Sequence, residues 1–269
     1  VTADDPYVVP AAAVFNLRDL GGRPAVTGSV ARGRFYRSGE LADPRVVADP
    51  AVVGLGLRTV VDLRTIHEVR ERPDHVPDGV TYLHLDVLAD MPPQAAADQA
   101  RLMSDPHAFA QAFGGFDAVA QMQGTYRDLV TGGAARTGYA AFVRAVLAAQ
   151  GAPVLVHCTA GKDRTGWAST LLLLAAGVDA EQVRAEYLAV NPAVRRAFAP
   201  LIERYVASGG SADLLAPMLE VRPEYLAAAF AEVDREFGGF TGYLQDGLGL
   251  DGDEIHELRT LLLDTDGRD

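Results

Sequence analysis

The chain has 269 residues, 49% of them apolar and 22% charged, enough to bury a full core. Its formal net charge of −12 argues against nucleic acid or an anionic membrane as the main partner, and any phosphate site must be built by local geometry. There is no apolar run of the ~18 residues a membrane span needs, no basic start and apolar core of a signal peptide, and one cysteine, which excludes an internal disulfide and points to a reducing, cytoplasmic setting.

Residues 34–38, 57–63 and 81–85 predict strands. Between residues 91 and 126 the text changes to Pro92-Pro93, an Ala/Gln/Asp-rich stretch, and Phe109, Phe113, Phe116 and Met122 among polar residues. Its length and position predict a helical lid insertion over residues 91–126. Tyr139, Phe142, Val143, Val146 and Leu147 recur at helical spacing and predict an amphipathic helix. Residues 152–157 form a short apolar run after Gly151, as in a strand buried on both faces of a parallel sheet. Residues 166–176 then read as a buried helix stopped by Gly177. The part from 180 to 265 reads as helical, with helices over 180–188, 193–207, 223–237 and 252–263. The expectation is one α/β domain over residues 1–269: a central, mostly parallel sheet flanked by helices, with a functional loop between strand and helix.

That loop runs His157-Cys158-Thr159-Ala160-Gly161-Lys162-Asp163-Arg164-Thr165 and holds the only cysteine and the only lysine of the chain. Cys158 and Arg164 stand at the spacing C-x5-R. A cysteine is a nucleophile as its thiolate, which cationic neighbours and a helix N-terminus favour. The helix beginning near Arg164–Thr165 would aim free N–H groups into the loop. Gly161 lets the backbone turn its amides, with those of Thr159 and Ala160, toward an anion. Arg164 offers a planar fork for two phosphate oxygens, where a lysine is a point charge. The Thr165 hydroxyl is placed to donate to the leaving thiolate. His157 is expected to orient the loop rather than act as a base.

The sequence H-C-x-x-G-K-D-R-T-G resembles the signature of the Cys-x5-Arg phosphatases, in particular the bacterial tyrosine/serine and lipid phosphatases. The resemblance extends to Asn16-Leu17-Arg18-Asp19, to Phe35-Tyr36-Arg37-Ser38, to Asp62-Leu63-Arg64 with Glu68, and to the tail from Glu224-Tyr225-Leu226 through Tyr243-Leu244. It implies phosphomonoester hydrolysis through a phosphocysteine, without metal or other cofactor. The substrates it implies are phosphotyrosine or phosphoserine/threonine proteins and phosphoinositides or inositol phosphates. Lys162 would then grip a second phosphate, or else neutralise the loop and pair with Asp163. For the general acid the resemblance favours Asp163. Order along the chain offers Asp90, with Asp86 weaker. Arg18, Asp19 and Arg64 read as a buried ion-pair network supporting the sheet.

Other readings fare worse. A nucleotide-binding P-loop would need glycine at Val156 and Ser/Thr at Asp163. Gly54-x-Gly56 precedes a strand and lacks a third glycine, and the six histidines lack metal-ligand spacing. A rhodanese-type sulfurtransferase also carries a cysteine loop before a helix, but the Arg-Thr-Gly ending disfavours it. A non-catalytic phosphate-binding module would be expected to lack Cys158 or Arg164. Sequence leaves the oligomeric state open.

Overall fold

The computed structural model describes residues 5–90, 117–207 and 211–264. Its centre is a five-stranded sheet with strands β1 (Arg18–Asp19), β3 (Phe35–Ser38), β4 (Thr59–Asp62), β5 (Thr81–His84) and β6 (Val154–His157), in the order β1-β3-β6-β4-β5. β3, β6, β4 and β5 run parallel and β1 pairs antiparallel with β3, so the sheet is mostly parallel, as the sequence predicts. A separate pair, β2 (Ser29–Val30) with β7 (Leu263–Asp264), ties the C-terminal part to the first third of the chain. The predicted strands stand within two residues of their expected bounds. β1, β2 and β7 span two residues each and are too short for a period to show.

The alternation along the strands builds two cores. Phe35, Val61, Val154 and Val156 face the larger core, while Tyr36, Val60 and Leu155 face a smaller one with Val14, Leu41 and Val52. The helices are α1 (Pro50–Val53), α2 (Ile66–Glu71), α3 (Ala118–Thr131), α4 (Gly133–Ala148), α5 (Asp163–Ala175), α6 (Ala180–Leu188), α7 (Asn191–Ala207), α8 (Ala212–Leu219), α9 (Pro223–Phe237) and α10 (Gly252–Leu262), with short turns of 3-10, α and π type between some of them. The predicted face of α4 is buried at every position. α5 is buried on nearly all sides, since Trp167, Leu171 and Leu172 are all in the large core.

Residues 91–116 of the expected lid lie outside the described residues. From Asp117 the chain enters α3, whose Met122, Tyr126, Leu129 and Val130 pack into the large core. α8 has no counterpart in the sequence reading.

Candidate active site

The loop of residues 158–162 leaves the carboxyl end of β6, the middle strand of the sheet, and runs directly into α5. Cys158 is 2% exposed, with the C=O of Cys158 3.3 Å from the His157 Nδ1. Gly161 adopts φ +64°, and a side chain there would put its Cβ 2.1 Å from the Ser38 carbonyl. Only glycine fits, because of both the left-handed backbone and the close approach.

Four successive loop carbonyls are held away from the loop's interior. Glu40 N–H donates to Thr159 O (3.1 Å). Asn16 Nδ2 donates to Ala160 O (3.2 Å) and Gly161 O (2.9 Å). Arg37 Nη2 donates to Gly161 O (2.7 Å) and Lys162 O (3.4 Å). With the carbonyls committed outward, the amides of Thr159, Ala160 and Gly161 are the groups left to receive an anion. Asn16 itself sits at φ 56°, a conformation asparagine tolerates better than most residues. The buried Thr165 hydroxyl has no hydrogen-bond partner among the described residues.

Arg164 donates through Nη1 and Nη2 to the two oxygens of Glu68, at 2.7 and 2.8 Å. Glu68 also accepts from the Thr159 hydroxyl and from the backbone N–H and hydroxyl of Thr65 (2.8 and 2.9 Å). Thr65 and Glu68 form a capping box at the start of α2, so the local turn that begins this helix also fixes the carboxylate. Burial opposes charge on both partners, but mutual attraction outweighs it. Glu68 is held well below the usual carboxylate range, and Arg164 well above the usual guanidinium range.

The two candidate acids stand apart. Asp163 opens α5, with Lys162 Nζ 2.6 Å from its Oδ2 and the Tyr126 hydroxyl donating to its Oδ1 at 2.9 Å. Asp90 accepts a short hydrogen bond from the Ala134 N–H at the start of α4. The Asp86 carboxylate takes the N–H groups of Ile66 and Leu88, both at 3.0 Å.

Two buried networks support the loop. Glu186 faces Arg37 (2.7 Å), Arg18 (3.3 Å) and Arg23 (3.7 Å). Its burial would raise its pKa, but the three arginines overcome this and hold it low. Arg64 pairs with Asp62 and Asp74, both at 2.8 Å, and with Glu40 at 3.2 Å. His157 Nε2 lies 3.0 Å from Asp74. Its burial disfavours the charged ring, yet Asp74 and Asp62 raise its pKa overall. Asp62, Asp74 and His157 have the composition of a metal site, but Arg64 already supplies the positive charge between the carboxylates. The expected network thus holds for Arg18 and Arg64. Asp19 differs: its carboxylate takes the backbone N–H groups of Gly21 and Gly33, at 2.7 and 3.0 Å.

Asn16, Arg37 and Glu68 stand in motifs quoted from the sequence, without a role assigned there. For Glu68 the Thr-x-x-Glu spacing before an apolar helix is a readable signal. Tyr126 and Glu186 carry no local signal. No helix among the described residues is long and apolar enough to cross a membrane.

The tyrosine phosphatase family model matches residues 9–264. The chain is 32% identical to the triple specificity protein phosphatase PtpB of Mycobacterium tuberculosis, over 93% of this chain and 96% of that protein. It is 34% identical to a putative tyrosine-protein phosphatase of Cupriavidus necator, over 88% and 83% of the two chains. A tyrosine-protein phosphatase of Nostoc commune is 26% identical over 85% and 74%. These matches leave the sulfurtransferase reading without support and imply phosphorylated substrates. With these matches over nearly the whole chain, the chain belongs to the tyrosine phosphatase family and is a protein-tyrosine phosphatase.

Proposed function

We propose that this enzyme hydrolyses phosphomonoesters through a phosphocysteine on Cys158. The observation that carries this reading is the outward commitment of the loop carbonyls, which leaves the loop amides, Arg164 and a buried thiol to receive an anion. The Cys158 sulfur attacks phosphorus as the ester oxygen departs with a proton from the acid. Arg164 keeps Nη1 and Nη2 on Glu68 and offers its Nε edge to the transferring phosphoryl group. Thr165, whose hydroxyl is otherwise unpartnered, donates to the sulfur when water attacks the intermediate and the thiolate leaves. His157 orients the loop from below.

Asp163 acts as the acid, because the turn that holds the phosphate also holds this carboxylate. Asp90 serves the start of α4. Protein phosphotyrosine is the primary substrate class, with phosphoserine/threonine and phosphoinositides as further classes. A cleft of about 430 Å3 lined by Thr159, Glu40, Arg72, Val14, Phe15 and Phe198 fits the residue that bears the phosphate. It shares Ala11, Val14, Phe15 and Ala197 with a groove of about 850 Å3 between the N-terminal segment and α7, which fits the flanking chain. Lys162 serves a second phosphate when one is present.

The experiment is a leaving-group comparison. A good leaving group departs with little protonation, so Asp163→Asn should slow alkyl phosphates much more than nitrophenyl phosphate. Asp90→Asn should leave that ratio unchanged. A leaving-group-dependent loss at Asp90 and none at Asp163 would overturn the assignment.

A further inference from the structure

Two buried phenols reach the loop without a part in the mechanism above. Tyr187 on α6 donates to the Tyr126 hydroxyl at 2.7 Å, and Tyr126 on α3 donates to Asp163 Oδ1 at 2.9 Å. Their rings meet edge to face, with centroids 6.1 Å apart, and both are essentially sealed from solvent. Each phenol has one proton to give. If Tyr187 gives its proton to Tyr126, Tyr126 must give its own to Asp163. The reverse order would need a protonated Asp163, and would leave the Tyr187 proton buried with no acceptor among the described residues. An unpaired buried donor is costly, so the chain of hydroxyls has a preferred direction and ends on Asp163 as acceptor. Both phenols keep their protons: burial first, then the nearby Asp163 charge, push them well above the usual range.

Other groups face Asp163 as well. Lys162 pairs with its second oxygen, and Arg164 and Cys158 belong to the same loop. Tyr139 on α4 gives its proton to Arg164 O (3.1 Å), and Tyr225 on α9 gives its own to Pro217 O (2.8 Å). Among the described residues Tyr126 is therefore the one phenol bonded to this carboxylate.

We propose that Tyr126, backed by Tyr187, is a positioning residue that fixes the Asp163 carboxylate against the phosphate loop. The catalytic meaning rests on Asp163 as the acid, whereas the hydroxyl chain itself does not.

The test is carboxyl-carbon NMR of aspartate-labelled enzyme against pH, with the Asp163 signal assigned by its loss in Asp163→Asn. Phenylalanine keeps both rings and removes only the hydroxyls. The Asp163 midpoint should rise by about one to two pH units in Tyr126→Phe, the size of one hydrogen bond to a charged acceptor. It should rise less in Tyr187→Phe. Unchanged midpoints in both would overturn the proposal, and if Tyr126→Phe fails to fold, the Tyr187→Phe midpoint decides alone. The alkaline limb of kcat/KM on an alkyl phosphate should follow the NMR midpoint. A moved midpoint with an unmoved limb would uphold the positioning and refute Asp163 as the acid.

Discussion

Two glutamates hold the phosphate loop from opposite sides, and their surroundings differ. Glu186 lies beneath the loop, 2% exposed, and faces three buried arginines. One of them, Arg37, carries the carbonyls of Gly161 and Lys162. Glu68 stands at the rim, 26% exposed, and holds the single arginine Arg164, itself 12% exposed. The same carboxylate–guanidinium chemistry yields a scaffold where every face is covered. At the rim it yields a pair whose two partners both stay partly exposed.

The largest effect that would sharpen this contrast is on stability. Glu186→Ala leaves Arg37 and Arg23 without their counter-charge and Arg18 with Asp5 alone, and should cost about 3–5 kcal/mol, the scale for breaking a buried pair. Denaturant unfolding measures this, and a loss below about 1 kcal/mol would mean the network is no scaffold. The pH dependence has a definite sign. The pKa of Glu186 is depressed by folding, so its contribution is complete above the unfolded value of about 4.3 and fades as pH falls toward the folded one. Glu186→Gln should flatten that acid limb of the stability curve.

The next effect is on rate. Arg164→Lys keeps the charge but loses the fork, removing one charge-assisted hydrogen bond, or about 10- to 100-fold in kcat/KM. Near-wild-type rates would show that Arg164 does not grip the reacting group. The smallest effect belongs to Glu68→Gln. The amide oxygen still accepts from Arg164, so about a 3- to 10-fold loss of kcat/KM is expected, with a smaller loss of stability than in Glu186→Ala. If this variant unfolds as readily as Glu186→Ala, the distinction between rim pair and scaffold collapses.

What could be read from the sequence was what lies together in it. The strand, the loop and the start of α5 occupy consecutive residues from 154 onward, and their chemistry shows in their order. The face of α4 and the bounds of α6 and α9 followed from period and punctuation. The supports of the loop did not show, because they come from far along the chain. Asn16 is 144 residues from the carbonyl of Ala160, and Arg37 is 149 residues from Glu186. Tyr126 lies at the end of the segment read as a lid, and its burial in the core depends on packing against α9, a contact that no local pattern announces. Of the two candidate acids, the resemblance favours Asp163 over Asp90 in sequence. The fold adds that Asp90 accepts from the N–H at the start of α4, while Asp163 accepts from the Tyr126 hydroxyl beside the loop.

The central claim is that Cys158 carries the phosphoryl group between substrate and water. Rapid acid quench during turnover of a nitrophenyl phosphate, followed by digestion and mass analysis, tests it directly. A phosphoryl group on the peptide containing Cys158, absent in Cys158→Ser along with turnover, is the predicted result. Turnover by Cys158→Ser at a substantial fraction of the wild-type rate, or a phosphoryl group on another residue, would contradict the account.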